Sequence, residues 1–307
     1  MSEKPTLPSL RELWTEGFAA LRRYKWLALA LYGVQLAIAV LFMWAATSML
    51  AAAFAERPIF DRAVEGDVAA LVFVVLDEPY VFWALVCTAM ATAFGYSLLS
   101  WYLIGGLNAV LVERAASKAE VIRHFGTGGT RTYFAYARLA LLSIIPYILI
   151  AFVTMYGLSS AADDMYYGLS FGDVFWALTP KLFPGLVLLL IHQTAIDYAR
   201  IELTRTIGLT SRHALWRAYR SVTSDWRPLV HVLAYVGFFA LATAFYVFVT
   251  QGAAMAGAGG AILLFAIRQV LLLVRFAGKL VCMGGQVVYA SRRAKDATPK
   301  KRLAVVQ

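Results

Sequence analysis

The fold of this chain is decided by the run from His192 to Pro228, HQTAIDYARIELTRTIGLTSRHALWRAYRSVTSDWRP. It begins inside an apolar segment, residues 186–191, which leads straight into His192, Gln193 and Asp197. It leaves through Arg200, Glu202 and Arg205, enters a basic, Trp-bearing helical pattern at 211–224, and gives way to a new apolar segment at Leu229. A polar cluster at the end of an apolar helix, a charged exit and an amphipathic stretch are what a chain shows where it leaves a bilayer, lies along its surface and re-enters.

Composition extends this reading to the whole chain. Hydrophobic residues make up 61% and charged ones 15%, against roughly 45–50% and about 25% in soluble domains. An excess of that size has to face lipid rather than one core. The class is therefore all-α, a polytopic integral membrane helical bundle forming a single membrane domain. Apolar segments at 26–55, 79–112, 133–158, 181–204, 228–250 and 261–290 predict six transmembrane helices. Residues 1–25 read as a cytoplasmic surface helix and 291–307 as a basic tail, disordered at its end. A signal peptide has an apolar run of only about 7–15 residues, so the first segment is a retained span.

Amphipathic surface helices are expected before spans 1, 3 and 5. In residues 10–24, Leu10, Leu13, Trp14, Phe18 and Leu21 recur at spacings of three and four, with Arg11, Glu12, Glu16, Arg22 and Arg23 between them. Similar segments occupy 116–125 and 211–224. Their expected contacts with anionic lipid are Trp14, Arg22, Arg23, Trp216, Arg217, Arg220 and Trp226. The run Gly126-Thr127-Gly128-Gly129 reads as a flexible break, since it lacks the Lys-Ser/Thr of a phosphate-binding loop. Pro146 predicts a kink in the third span. Gly105-Gly106 and Asn108, late in the second, read as a close packing surface with one amide to share.

Charge orients the bundle. Basic residues number five in 1–25, four in 113–132, six in 197–228 and six in the tail, but only Arg57 and Arg62 in 56–79 and none in 159–180 or 251–260. This asymmetry makes the chain multi-pass with both termini cytoplasmic. The net charge of +10 is then a membrane signature, spread loop by loop and not gathered on one face as nucleic-acid binding would require. The two cysteines support no disulfide framework; Cys87 and Cys282 fall at opposite ends of their spans and are expected as free thiols.

The chain also repeats itself. A surface helix precedes each odd-numbered span, and Leu13-Trp14 and Leu215-Trp216 occupy like places, ahead of Trp26 and Trp226. Gly66-Asp67-Val68 and Gly172-Asp173-Val174 recur at comparable distances ahead of Pro79 and Pro184. The unit is a surface helix plus a two-span hairpin, used three times. Mitochondrial carriers share the count but not this sequence, which lacks their Pro-x-Asp/Glu-x-x-Lys/Arg signature. In its layout the chain resembles uncharacterised bacterial six-span membrane proteins and the membrane domain of some glycerophosphodiester phosphodiesterases. The soluble phosphodiesterase domain has no counterpart here, so the likeness implies only a helical bundle in a bacterial inner membrane (the cell inner membrane) that assists another component.

Function has to be sought among polar residues inside the spans: His192, Gln193, Asp197 and Arg200 on the fourth, and Arg268, Arg275 and Lys279 on the sixth. With Gln286, the last three form one stripe at 100° per residue, as do Gln193, Asp197, Arg200 and Thr204. Ionisable groups at such depth cost at least about 2.5–3.5 kcal/mol each and mark a functional site or a structural ion pair. Depth counted from the outer ends pairs Asp197 with Arg275, and Lys279 as the second choice. No metal-ligand spacing surrounds His192, no nucleophile or His-Glu-x-x-His motif occurs, and no cofactor is implied. Two functions follow: a non-enzymatic scaffold or accessory subunit binding a protein partner, a second copy or anionic lipid at the cytoplasmic face, or a transporter or channel whose Arg268/Arg275/Lys279 stripe meets an anionic substrate beside Asp197.

Overall fold

The computed structural model describes residues 7–54, 79–165, 171–253 and 257–297. Among them are seven helices and no strand: α1 (Leu10–Phe54), α2 (Pro79–Glu113), α3 (Lys118–Met165), α4 (Phe171–Arg205), α5 (Ser211–Ser224), α6 (Arg227–Ala253) and α7 (Gly257–Ala297). Five of them, α1, α2, α3, α4 and α6, are long and apolar enough to cross a membrane, with mean hydropathy from 1.4 to 2.2 over their most apolar stretches. The sixth apolar segment lies in α7, 41 residues long, which carries Arg268, Arg275 and Lys279 in its interior. Phe152, Leu241 and Phe248 are 72%, 74% and 74% exposed, so these stretches need a cover of lipid or protein.

The chain forms two compact units, residues 1–28 with 101–307, and residues 29–100. The smaller holds the end of α1 and the start of α2, where Thr88 bonds the Met49 sulfur at 3.5 Å and an apolar groove runs between residues such as Leu41, Phe42 and Tyr96. The larger contains all the buried polar groups described below.

Local chemistry sets the helix starts. Ser9 and Glu12 exchange backbone and side-chain hydrogen bonds in a capping box, and Ser117 and Glu120 repeat it. At α5, Thr210 and His213 stand at the same spacing, their side chains bonded at 2.7 Å. Counting from these caps, Leu13, Val121 and Ala214 are equivalent, and all three are buried. The caps therefore shift the repeat register by one residue from Leu13-Trp14/Leu215-Trp216, because Trp14 lies five residues after its cap and Trp216 six.

α1 bends at Tyr24 (φ −116°, ψ 24°), which separates residues 10–23 from the apolar remainder. α3 shows no such bend. It runs unbroken through Gly126–Gly129 and through Pro146, so the expected flexible break is a helix. The reason is tertiary: a Cβ on Gly128 would strike the Ala109 side chain, and one on Gly129 would stand 2.7 Å from the Tyr102 ring. The glycines admit α2 instead of interrupting α3.

The loop expected at 159–180 is also largely helical, with α3 reaching Met165 and α4 starting at Phe171. Pro180 and Pro184 sit inside α4, since a proline removes one backbone bond without ending a helix whose other bonds stay internal. Likewise α7 continues to Ala297, so Arg292 and Arg293 are helical and not part of a loose tail. The expected outer loop at 56–79 and the end of the tail from 298 lie outside the described residues. Both cysteines are free thiols.

Candidate functional site

The helices of the larger unit hold a belt of polar contacts, built on α4. Asp197 is its centre: Oδ2 accepts from Lys279 Nζ at 2.9 Å, and Oδ1 faces Arg200 Nη1 at 3.4 Å. Gln286, fully buried, turns its amide toward Asp197 without closing a hydrogen bond. Asp197 is thus paired with Lys279, the second choice, and not with Arg275, which is exposed. The depth count started from the wrong ends. α4 begins ten residues before Lys181 and α7 only four before Ala261, an offset of six residues, which exceeds the single turn that separates Arg275 from Lys279.

The sixth-segment stripe does not converge on one space. Arg268 and Arg275 are exposed, Lys279 is part-buried in its ion pair, and from Leu280 to Ala290 the helix is buried on every side. Equal angles along a helix guarantee a common environment only if the neighbours run parallel to it throughout.

One helix turn below, Tyr136 of α3 forms a second node that sequence reasoning missed. Its hydroxyl takes a hydrogen bond from Asn108 Nδ2 at 2.9 Å and meets Thr204 Oγ1 at 2.8 Å and the Arg200 carbonyl at 3.0 Å. Arg131 donates to the Thr204 carbonyl at 3.1 Å. The signal was present in Thr132, Tyr136 and Ser143, polar groups at helical spacing on one face, all 1–2% exposed.

His192 turns to α5. Its Nδ1 bonds the Tyr219 hydroxyl, and the Tyr147 ring stands edge-on at 4.6 Å. Burial, with Tyr147 adjacent, pushes the Tyr219 phenol up, and which partner donates in this bond is set by the His192 tautomer. Gln193 donates to Tyr147 at 2.6 Å. The residues 192, 193, 197 and 200 are therefore brought together as interhelical contacts from one helix to α3, α5 and α7.

The last joint closes the chain on itself. His231 Nε2 lies 3.2 Å from the Cys282 carbonyl, and its ring packs on Trp14 at 4.6 Å. Gly284 of α7 faces Gly17 and Ala20 of α1, and Arg292 meets Glu12 at 3.4 Å. Arg227 donates to the carbonyls of Leu7 and Pro8 at 3.3 Å. Trp14 is thus a packing residue as well as an expected lipid contact, while Arg22, Arg23, Trp216, Arg217, Arg220 and Trp226 are exposed. On α5 the buried face is Ser211, Ala214, Ala218 and Val222, and Trp216 shares the opposite face with Arg212 and Arg220.

No family model matches this chain, and neither does any curated protein or solved structure.

Proposed function

We propose that this protein is a non-enzymatic membrane component, a scaffold or accessory subunit that presents its basic inner face to anionic lipid and to a protein partner. In this reading six spans cross a bacterial inner membrane with both ends cytoplasmic, α7 supplying the sixth, and residues 10–23, the start of α3, and α5 lie at the inner surface as amphipathic helices. The topology is supported by the loop charges. A reporter active only outside the cytoplasm should work when fused after Gly66 or Asp164 and stay silent after Gly128, Ser211 or Gln307. Activity at the Ser211 fusion would remove the six-span arrangement.

The observation that carries the non-transporting reading is where the deep charges go. Asp197 is met by Lys279 and Arg200, so this acid is a structural partner and not an open counter-ion. Arg268 and Arg275 are exposed and form no ion pair among the described residues. Proteoliposomes loaded with phosphate, chloride or an organic anion should release them no faster than empty vesicles. Flux that disappears on Lys279→Ala in a protein that still folds would replace the scaffold with a transporter.

A further inference from the structure

A cleft of about 750 Å³ opens where the end of α4, α5 and the last turns of α7 meet, within the roughly 300–1,000 Å³ of small-ligand sites. Its lining includes Arg217 and Arg220 from α5, Arg293 from α7, and Tyr198, Glu202 and Thr206 from the end of α4. Three arginines therefore surround a single carboxylate. That carboxylate is already answered, since Glu202 pairs with Arg205 at 3.4 Å and Arg205 is anchored on the Ala290 carbonyl at 2.8 Å.

The arginines differ in how they are held. Arg293 is fixed by bonds to the Ser221 carbonyl, the Tyr289 hydroxyl and Ser224 Oγ, at 3.1, 2.8 and 2.6 Å. Arg217 and Arg220, three residues apart on α5, are exposed and donate no hydrogen bond among the described residues, while Arg217 stands near enough to Glu202 to act on its carboxyl. A second, independent observation concerns Tyr198. It is 2% exposed, and its buried hydroxyl has no hydrogen-bond partner among the described residues. A buried donor left unsatisfied calls for an acceptor.

We propose that this cleft binds a phosphate ester, presented by the headgroup of an anionic lipid. The planar forks of the arginines match phosphate oxygens two at a time, with Arg293 already oriented and the other two able to close over the ligand. The ester oxygens supply the acceptor that Tyr198 lacks, and Thr206 adds a hydroxyl. The lipid source follows from the surroundings: Ile207 just past α4, Trp216 on α5 and Trp226 just past it are 79%, 70% and 60% exposed, as residues at headgroup level are. The proposal rests on the reading that α5 lies at the membrane surface.

Native mass spectrometry of the full-length protein in detergent separates the possibilities, with titrations of phosphatidylglycerol, phosphatidylcholine and soluble glycerol phosphate. We expect one saturable phosphatidylglycerol site, weakened about tenfold or more by Arg217→Gln with Arg220→Gln and about fivefold by Tyr198→Phe. Lys118→Gln with Arg123→Gln takes the same charge from the exposed start of α3, outside the cleft, and should change it little. Equal losses in the two double variants would overturn the cleft while leaving a basic surface that attracts lipid. Equal binding of phosphatidylglycerol and phosphatidylcholine would overturn both the cleft and the surface reading. Saturation by glycerol phosphate at the same concentration would overturn the lipid as the source. If the arginine variant does not fold, the shape-preserving Tyr198→Phe decides, and unchanged affinity there overturns the site.

Discussion

Asp197→Ala should lower stability more than Lys279→Ala, and Arg275→Ala should leave it almost unchanged. Asp197 meets two cations, so its loss strands both Lys279 and Arg200. Removing one partner of a fully buried pair costs about 3–5 kcal/mol. Here Asp197, Arg200 and Lys279 are 17%, 21% and 37% exposed, and a lysine with that much access can turn its head toward the membrane surface. A loss of about 1–3 kcal/mol is expected for Asp197→Ala. Lys279→Ala leaves Arg200 in place against Asp197 and should cost on the order of 1–2 kcal/mol. Arg275 is exposed and makes no ion pair among the described residues, so its removal stays within about 0.5 kcal/mol.

Thermal unfolding in detergent, run as a double-mutant cycle, measures these differences. The Asp197–Lys279 coupling should be on the order of 1 kcal/mol. Reversing the pair, Asp197→Lys with Lys279→Asp, should recover only part of the loss, because the new lysine stands one turn from Arg200. A coupling of zero, or an Arg275→Ala loss equal to that of Lys279→Ala, would leave the contact without energetic meaning.

That contact also shows what the sequence could and could not carry. α5 was legible to the residue, because Thr210 opens it, Asp225 and Pro228 follow it, and its amphipathic period is complete. The charged residues at depth were legible too, since little else explains an aspartate in an apolar run. Their pairing was not, because depth was counted from helix starts that proline misplaced, and one turn separates Arg275 from Lys279. Gly126–Gly129 misled for a related reason. Helix propensity is a property of the segment, but the cause of those glycines is Gly105-Gly106 and Tyr102 on another helix. Tyr136 was missed because a tyrosine among apolar residues reads as packing until its partners, Asn108 and Thr204, are placed beside it.

Gly17→Leu and Gly284→Leu should each destabilise the protein by about 3 kcal/mol or more, whereas Gly237→Leu should be neutral or stabilising. Replacing glycine in a helix by leucine gains up to roughly 1 kcal/mol in intrinsic preference. Gly237 has nothing within 4 Å of an added Cβ, so only that gain applies. At Gly17 an added Cβ strikes the Val281 carbonyl oxygen, and at Gly284 it comes within 2.9 Å of the Ala20 methyl and 3.1 Å of the Gly17 Cα. These are backbone atoms and a short side chain that no rotamer change can move aside, so the helices themselves must part. Parting them takes Leu13 and Trp14 away from α7 and His231, and breaks the joint that holds the first helix on the last. Even Gly17→Ala meets the same carbonyl and should lose stability where alanine normally gains it. The comparison separates two positions for residues 10–23. If they lie on lipid alone, all three leucine variants should behave like Gly237→Leu, and added apolar surface at Gly17 should strengthen membrane binding. If they are docked on α7, the signs divide, and partial proteolysis near residue 24 should accelerate only in Gly17→Leu and Gly284→Leu.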